Sequence, residues 1–379
     1  MPGPQSRSVG AIDNVTIEDT QINGGCISID ISGSDIAQNV GSLFDHNNFI
    51  PVNNTGCHVI RIGHLSTLQV TRNHVFCPFD PVANQSVANV IGMKIEDAGG
   101  LSVIVSCMYG TYINPGVHGY VDGVHLTGTV LGDTSRLDDL LIDTADASAV
   151  VGQLQITGSW IASATATSVT IQNTGGRFIG GIHFARNLIY PRTNKTGVNI
   201  VAGNDITIDD STICSPDMSS DTMIKITTAG STAIRNSTIG ACDRRPERCA
   251  VATGINYSPG SAGIVQILGN SMLGTTTPII YNPGPLSTAT IANNVGVDDI
   301  TGTSIASSAT ITAPVNPIFS ISGTAVITTM NGGWTGRQMT INPAGAFSFA
   351  TGGNIANALM ATAGVSILAN FDGTSWHVK

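Results

Sequence analysis

The chain has 379 residues and a formal net charge of −9, and only 11 % of its residues are charged. It contains no run of lysine or arginine, so a nucleic-acid partner, which needs a basic surface, is not expected. The first residues lack the apolar core of a secretory signal. The longest apolar stretch, 355–369, is interrupted by polar residues and is too short to insert into a membrane as a spanning helix.

A short phrase returns along the chain: an apolar residue, two variable positions, Asn or Ser, one variable position, then Ile, Val or Leu. After earlier copies around 48 and 73, the aligned polar position falls at 159, 187, 211, 236, 270 and 293. The steps between these positions are 28, 24, 25, 34 and 23 residues. A recurrent period in the twenties indicates a repeat architecture in which each unit packs on the next.

The repeated units are predicted to be short β-strands rather than helices. Apolar residues stand two apart, as in Leu154 and Ile156 or Ile206 and Ile208, which places them on one face of a strand. The period lacks the leucine-rich consensus of leucine-rich repeats and is shorter than the 40 or so residues of a propeller blade. We therefore expect an all-β protein built on a right-handed parallel β-helix of about eleven coils.

The recurring Asn has a structural role in such a fold, because Asn tolerates the left-handed turn conformation and caps neighbouring backbone groups. Side chains repeated once per coil can also hydrogen-bond to one another along the axis. The sequence predicts such a stack from Asn73, Asn187, Asn236, Asn270 and Asn293.

In chain order, the sequence predicts an amino-terminal leader over 1–10 and the β-helix over 11–300. Two 34-residue steps, from 73 to 107 and from 236 to 270, indicate insertions within the helix. The segment 301–316 is rich in Ser, Thr and Ala and is predicted to be a linker. A small β-sandwich-like module is predicted over 317–379, where it would cap the helix or hold a trimer together.

The module carries a family resemblance. The segments 319–324, 333–336, 341–343, 352–355 and 371–376 read Phe-Ser-Ile-Ser-Gly-Thr, Gly-Trp-Thr-Gly, Ile-Asn-Pro, Gly-Gly-Asn-Ile and Phe-Asp-Gly-Thr-Ser-Trp. They resemble a C-terminal β module of bacteriophage tailspikes and tail fibres, and the predicted coils resemble the pectate-lyase-like β-helix of the same proteins. The resemblance implies a homotrimer located on the virion tail with other tail proteins. It also implies assembly in the host cytoplasm and contact with a glycan at the host cell surface.

Three carboxylates are the candidate catalytic residues. Asp205, Asp209 and Asp210 lie within one predicted coil, and a glycan-cleaving enzyme needs paired carboxylates on one surface. The spacing differs from that of pectinase-like hydrolases, whose motifs stand a full coil apart, and no Gly-His-Gly or Arg-x-Lys motif follows. Catalysis therefore remains open at this point.

Arginines are the candidate glycan-binding residues. The repeat alignment places Arg186, Asp210 and Arg235 just before the polar position of consecutive coils, where they form either a surface salt-bridge ladder or a groove for an anionic sugar. The insertion 242–249 is the densest charged segment, and Arg244, Arg245 and Arg248 within it are suited to a carboxylated or phosphorylated glycan. Its alternative role is a solvated loop or subunit contact.

The seven cysteines match no zinc spacing. Cys242 and Cys249 bracket the charged insertion and could pair in oxidising conditions, whereas Cys214 has the position of a small core residue. The acidic cluster Asp138, Asp139, Asp143 and Asp146 is interpreted as a solvated turn rather than a metal site. Neither a metal nor a cofactor is expected.

These patterns, with the resemblance, predict a phage tailspike or tail-fibre receptor-binding protein that recognises host cell-surface polysaccharide. One alternative is a capsule or lipopolysaccharide depolymerase on the same fold, acting as a glycoside hydrolase or a polysaccharide lyase. A second alternative is a purely structural virion protein that binds no glycan.

Overall fold

The structure is a computed structural model, and its described residues cover most of the chain. They are 16–23, 29–32, 39–50, 58–63, 65–71, 73–75, 79–80, 85–86, 91–96, 98–99, 102–104, 107–108, 111–113, 115, 120–133, 138–162, 166–192, 194–215, 219–228, 230–242, 251–260, 263–282, 287–297, 304–314 and 316–379. Within these ranges the regular elements are β-strands, and no helix is long and apolar enough to cross a membrane. The predicted leader, 1–10, lies outside them.

Three long sheets of parallel strands form the body of the protein. The strands of the first sheet are Thr16–Glu18, Asn39–Asp45, Leu65–Thr71, Ala98–Gly99, Ser102–Ile104, Tyr120–Asp122, His125–Thr127, Val150–Val151, Leu154–Thr157, Phe178–Ala185, Asn204–Asp209, Ser231–Arg235, Ile264–Leu268 and Thr288–Ala292. Those of the second are Gln21–Asn23, Asn48–Ile50, His74–Val75, Cys107–Met108, Val130–Asp133, Trp160–Ala162, Leu188–Tyr190, Thr212–Ser215 and Thr238–Ala241. Those of the third are Ile29–Ser32, His58–Gly63, Ile91–Ile95, Thr111–Ile113, Leu140–Asp143, Val169–Gln172, Val198–Ile200, Ser219–Ile226, Val251–Tyr257 and Thr275–Tyr281.

The chain visits the three sheets in turn and so forms the predicted parallel β-helix. In the described part of the chain, nine coils supply a strand to every sheet. A tenth passes the second sheet through isolated bridges of Ser271 to Thr238 and Val295, and an eleventh begins with Thr288–Ala292. Connections between parallel strands are right-handed in nearly all proteins. A short antiparallel hairpin, Phe79–Asp80 with Gln85–Ser86, leaves the helix within the first predicted insertion.

Apolar residues in the same register fill the interior. Ile156, Phe184, Ile208, Ile234 and Ile267 are paired from coil to coil in the first sheet, and each is 0 % exposed. Burying each such side chain contributes roughly 1.5–3 kcal/mol. A single coil cannot bury its own apolar side chains, so the free energy gained by burying them depends on the coils above and below it.

Buried polar side chains form a ladder at the corner between the first and second sheets. Its members, each no more than 2 % exposed, are Asn47, Asn73, Thr129, Ser159, Asn187, Ser211, Ser237, Asn270 and Asn294. The side-chain oxygen of a member accepts the backbone N–H of the member one coil earlier, as Asn187 Oδ1 accepts the Ser159 N–H at 2.9 Å. The Asn amides also donate to a carbonyl of that earlier coil, as Asn187 Nδ2 does to Ile156 at 2.8 Å.

The residue before Thr20, and before each ladder position where the structure describes that residue, has a left-handed backbone, which turns the chain sharply at the corner. The φ angles lie between 48° and 66° at Asp19, His46, Gly128, Gly158, Arg186, Asp210, Asn236, Gly269 and Asn293. Gly, Asn and Asp adopt this region at the least cost, and they occupy seven of these nine positions. The corner therefore exposes one side chain per coil and buries the next.

The predicted Asn stack is confirmed at Asn73, Asn187 and Asn270 and displaced at two positions. Asn236 and Asn293 occupy the exposed left-handed position, and the ladder residues are Ser237 and Asn294. The reason is geometric, since the ladder residue follows the last inward apolar residue by three positions. Ser237 follows Ile234 at that distance, just as Ser159 follows Ile156.

A disulfide joins neighbouring coils of the second sheet. Cys214 and Cys242, 28 residues apart, are bonded at an S–S distance of 2.05 Å. Closing a loop of this length stabilises the fold by about 3–4 kcal/mol in the chain-entropy model. Cys242 therefore pairs with Cys214 rather than with Cys249, which lies outside the described residues.

Residues 304–379 form a module with its own apolar core, which begins earlier in the chain than the predicted module, 317–379. Its five-stranded sheet consists of Ser304–Ala306, Ile318–Ser322, Gln338–Pro343, Ile367–Phe371 and Trp376–Val378. A second sheet pairs Thr310–Thr312 with Thr329–Asn331. A third sheet consists of Val326–Ile327, Ser348–Phe349 and Leu359–Met360. The first strands pair in parallel and the last in antiparallel fashion, so the sandwich-like prediction is refined to a short coil closed by a hairpin.

Two of these strands, Ser304–Ala306 and Thr310–Thr312, lie inside the predicted linker, 301–316. Ile311 between two threonines is 5 % exposed, so the Ser- and Thr-rich composition reflects outward strand positions rather than an unstructured connection. The motif at 371–376 forms the closing turn of the module. There Asp372 accepts the N–H groups of Ser375 and Thr374 at 2.8 Å. The Ser375 hydrogen bond, with those from His377 and Thr374, lowers the pKa of Asp372 to about 2.

We expect Asn187→Ala to lower the free energy of unfolding by about 1–3 kcal/mol, because it leaves the buried Ser159 N–H without its acceptor and removes the amide hydrogen bond to the Ile156 carbonyl. Urea unfolding followed by circular dichroism measures the change. Asn187→Ser is the matched control, since Ser fills the same position in neighbouring coils, and it should cost less. Equal stability of the Ala variant and the wild type would contradict the ladder's role.

Candidate functional site

Besides the left-handed residues of the ladder corner, a second column of left-handed residues lies in the middle coils of the first sheet. It separates the first sheet there into two halves. Its members are Gly123, Gln153, Gly181 and Asp205, with φ between 48° and 64°. The strands Tyr120–Asp122 and Val150–Val151 lie before this column, and His125–Thr127 and Leu154–Thr157 lie after it. Outward side chains therefore form one column on each side of this division, and successive members of a column lie one coil apart.

An aromatic column occupies the first half. Tyr120, Val150 and Phe178 are paired in register on adjacent coils, and Tyr120 and Phe178 are 50 % and 45 % exposed. A Cβ added to Gly180 would lie 2.6 Å from Phe178 Cζ, so the phenyl ring rests on bare backbone. Exposed rings of this size on a solenoid surface offer flat apolar area to a ligand.

A polar column occupies the second half. His125, Gln155 and His183 are paired in register and are exposed. Their side chains can each donate and accept hydrogen bonds. We name the six exposed or half-exposed residues Tyr120, Asp122, His125, Gln155, Phe178 and His183 the Tyr120 face.

Asp122 is the carboxylate of the Tyr120 face. Its Oδ2 accepts the Tyr120 hydroxyl at 3.0 Å, and its Oδ1 is buried without a hydrogen-bond partner in the described part of the chain. A Cβ at Gly152 in the next coil would lie 3.5 Å from this Oδ1. The hydrogen bond to Asp122, followed by burial and the Asp122 charge, raises the pKa of Tyr120.

A third group of exposed residues lies across the ladder corner, on the second sheet. Trp160 and Leu188 are paired in register and are 43 % and 39 % exposed. Arg186 precedes Leu188 at the exposed left-handed position of the corner. Large apolar side chains and one cation thus continue the exposed surface of the same coils.

Among the predicted catalytic carboxylates, Asp205 stands apart from Asp209 and Asp210 along the coil. Asp205 lies in the dividing column, where its N–H donates to Ser231 Oγ at 2.9 Å, and Asp210 lies at the ladder corner. Asp209 stands four residues after Asp205 in the same strand, which separates their Cα atoms by about 13 Å at the usual strand rise. Glycosidase carboxylate pairs lie about 5–9.5 Å apart, so this strand does not present such a pair through Asp205 and Asp209.

The predicted charged register holds for two of its three members. Arg186 and Asp210 both occupy the left-handed corner position, but Arg235 lies one position earlier and pairs with Asp209 in the sheet. Arg235 Nη2 donates to Gln266 Oε1 at 3.0 Å. Arg235 is displaced for the same reason as Asn236. Because Ser237 is the ladder residue of this coil, Asn236 takes the corner position and Arg235 the position before it. Arg244, Arg245 and Arg248 lie outside the described residues.

In the acidic cluster near 140, Asp139 and Asp143 are buried and Asp138 and Asp146 are partly exposed. Asp143 is 5 % exposed and accepts Gln172 Nε2 at 3.0 Å and the Thr174 N–H at 3.1 Å. Asp138 accepts the Thr167 N–H at 2.9 Å, and burial raises its pKa. These carboxylates cap loops of the following coil. Among the described residues no group of three His, Cys, Asp or Glu side chains could hold a metal ion.

The charge pattern of the sequence does not indicate the residues of the Tyr120 face. A usable signal was present, since Tyr120, Phe178 and Trp160 stand at outward positions, where strands of this chain otherwise carry mainly Thr, Ser, Asn or Gln. Trp160 directly follows the ladder residue Ser159 and therefore points away from the core.

Comparison with known proteins gives little further guidance. No protein-family model matches the chain, and no curated protein matches it. Among solved structures, PfbA, a surface adhesin of Streptococcus pneumoniae, is similar over 96 % of this chain and 90 % of its own, at 8 % identity and a TM-score of 0.39. A likeness at that TM-score carries no argument about this protein's function.

Proposed function

We propose that this protein is a bacteriophage tailspike or tail-fibre receptor-binding protein that holds a host cell-surface polysaccharide against the outside of its β-helix. The observation that supports this proposal is the set of exposed rings, Tyr120, Phe178 and Trp160, carried on three adjacent coils. The sequence resemblance to phage tail proteins supports the location on a virion tail.

The Tyr120 face has the chemistry that a sugar chain requires. Aromatic rings pack against apolar faces of a ligand, and the neighbouring His125, Gln155 and His183 supply donors and acceptors for hydroxyl groups. The residues repeat at the coil spacing of about 4.8 Å, which suits a ligand that is itself a repeating chain. Arg186 adds a positive charge for an anionic sugar at the adjoining corner.

The homotrimer is part of the same proposal. The C-terminal module exposes Val326 and Met360, which flank Ser348 on its small third sheet and are 49 % and 81 % exposed. Val365 and Leu368 are 58 % and 38 % exposed nearby in sequence. Apolar side chains at this density favour contact with further copies of the chain.

Glycan binding is tested on arrays of bacterial capsular polysaccharides and lipopolysaccharide O-antigens. For each polysaccharide bound by the wild type, we expect the double variant Tyr120→Ala/Phe178→Ala to bind at least about tenfold more weakly, a loss of about 1.4 kcal/mol. The matched control is Ile264→Ala, which removes an apolar side chain that is 53 % exposed on a distant coil of the same sheet.

The control should bind as the wild type does, and all three proteins should unfold at similar temperatures. Unchanged affinity in the double variant would show that the Tyr120 face is not the binding surface. Binding of no polysaccharide by the wild type would favour the purely structural alternative. Charge reversal at Arg244, Arg245 and Arg248 in the same assay tests the glycan-binding role predicted for that insertion.

Asp122 favours a second candidate function, depolymerisation of the bound polysaccharide. Its Oδ1 lacks a partner in the described residues, while Tyr120 supplies a hydroxyl proton beside it. A carboxylate base next to a proton donor is the arrangement used in general acid–base catalysis of glycan cleavage.

We expect a depolymerase to release new reducing ends, or unsaturated uronates if it is a lyase, from a polysaccharide that it binds. Asp122→Asn should abolish that release even from a polysaccharide that the variant still binds, as measured on the same array. Asp205→Asn, Asp209→Asn and Asp210→Asn test the carboxylates predicted from sequence in parallel. If no bound polysaccharide shows new ends, depolymerisation is contradicted and only the receptor-binding function stands.

A further inference from the structure

The last coil of the β-helix and the C-terminal module meet at a seam of aromatic residues. Tyr257 and Tyr281 are stacked with ring centroids 5.6 Å apart, and Trp334 of the module meets Tyr281 edge-on at 5.3 Å. Trp334 is 9 % exposed and belongs to the core of the helix. Asn316 Nδ2 donates to the Val297 carbonyl at 2.8 Å across the same boundary. The module is therefore packed onto the open end of the helix.

Arg337 lies at this seam, buried and without a carboxylate partner among the described residues. It is 4 % exposed, and its guanidinium carbon lies 4.1 Å from the centroid of the Trp334 ring. Its Nη1 and Nη2 donate to the carbonyl oxygens of Gly332 and Pro314. A guanidinium has five N–H donors, so these two bonds do not use its full capacity.

A buried cation of this kind is costly unless something compensates its charge. Burial alone lowers the pKa of Arg337 to about 9, against a slight rise from Tyr281, so the group is still protonated at neutral pH. Carbonyl dipoles and the ring face compensate part of the charge. A carboxylate would compensate the rest, through the paired N–H groups that arginine offers to such ligands.

The seam also contains a cavity suited to a ligand. Its volume is about 230 Å³, and its lining includes Thr290, Ile291, Trp334, Thr335, Arg337 and Gln338. One wall is the strand Thr288–Ala292, the last of the first sheet, whose outer edge has no partner strand in the described part of the chain. The cavity thus combines a cation, an aromatic ring, two hydroxyls, an amide and an open strand edge.

We propose that the seam cavity binds one carboxylated sugar unit, with its carboxylate on Arg337 and its ring against Trp334. The cavity is smaller than the 300–1,000 Å³ of sites for drug-sized ligands, which limits the occupant to about one sugar residue. Thr290, Thr335 and Gln338, which line the same cavity, can donate and accept hydrogen bonds to the sugar's hydroxyl groups. This site is separate from the Tyr120 face and does not depend on the function proposed for that face.

Calorimetric titration of the full chain with sodium glucuronate tests the proposal, with methyl glucoside as the neutral probe and acetate as the plain anion. We expect glucuronate to bind and the other two probes to bind at least about tenfold more weakly. Thr290→Phe, which fills the cavity and leaves Arg337 in place, should abolish glucuronate binding. Thr277→Phe, at an exposed strand position away from the cavity, is the matched control and should bind as the wild type does.

The pH dependence gives a readout that a purely structural arginine would not produce. A carboxylate binds the protonated guanidinium, so glucuronate affinity should stay level around neutral pH and fall as the pH rises through about 9. The variant Tyr120→Ala/Phe178→Ala should keep this binding, which separates the seam site from the Tyr120 face.

Three outcomes would overturn the seam proposal: no glucuronate binding by the wild type, equal binding by Thr290→Phe, or acetate binding as tight as that of glucuronate. The first two would assign Arg337 to holding the module on the helix. The third would make the cavity a general anion site rather than a sugar site.

Discussion

The axial hydrogen bonds of the buried ladder are the constraint on which the coils depend. A coil that turns sharply at its corner buries peptide groups that its own strands cannot satisfy, and each buried unsatisfied group costs about 1–3 kcal/mol. The side-chain oxygens of Asn187 and Asn270 each accept one such N–H from the coil before, which holds each coil in register with its neighbour. The ladder thus determines the register of the apolar residues inside and of every exposed column outside.

That register explains why binding residues can be separated along the chain by a full period and still lie side by side. Tyr120 and Phe178 are 58 positions apart in number, yet they stand two coils apart in one column with Val150 between them. The same geometry isolates Asp205 from Asp210, although they are close in sequence, because one lies in the dividing column and the other at the corner. In a solenoid, proximity across coils matters more than proximity along the chain.

The repeated phrase carried enough information to predict the fold class, the approximate number of coils and most of the ladder. Its one systematic error, at Asn236 and Asn293, arose because two polar residues stand together there and only the distance from the last inward residue distinguishes them. The segment 301–316 was misread because alternating Ser, Thr and Ala occur both in linkers and in strands with hydroxyl-rich outer faces. Asp122 and Arg337 could not be identified from sequence, because the unpartnered oxygen of one and the burial of the other result from contacts between distant coils.

Amide hydrogen exchange measured residue by residue tests the ladder most directly. The N–H groups of Ser159, Asn187, Ser211, Ser237 and Asn270 are bonded only to a side chain of the next coil, as far as the described residues show. If these bonds hold the coils in register, the five amides should exchange as slowly as those of the central strands around Ile156 and Ile208. Rapid exchange at the ladder, with the strands still protected, would contradict the account.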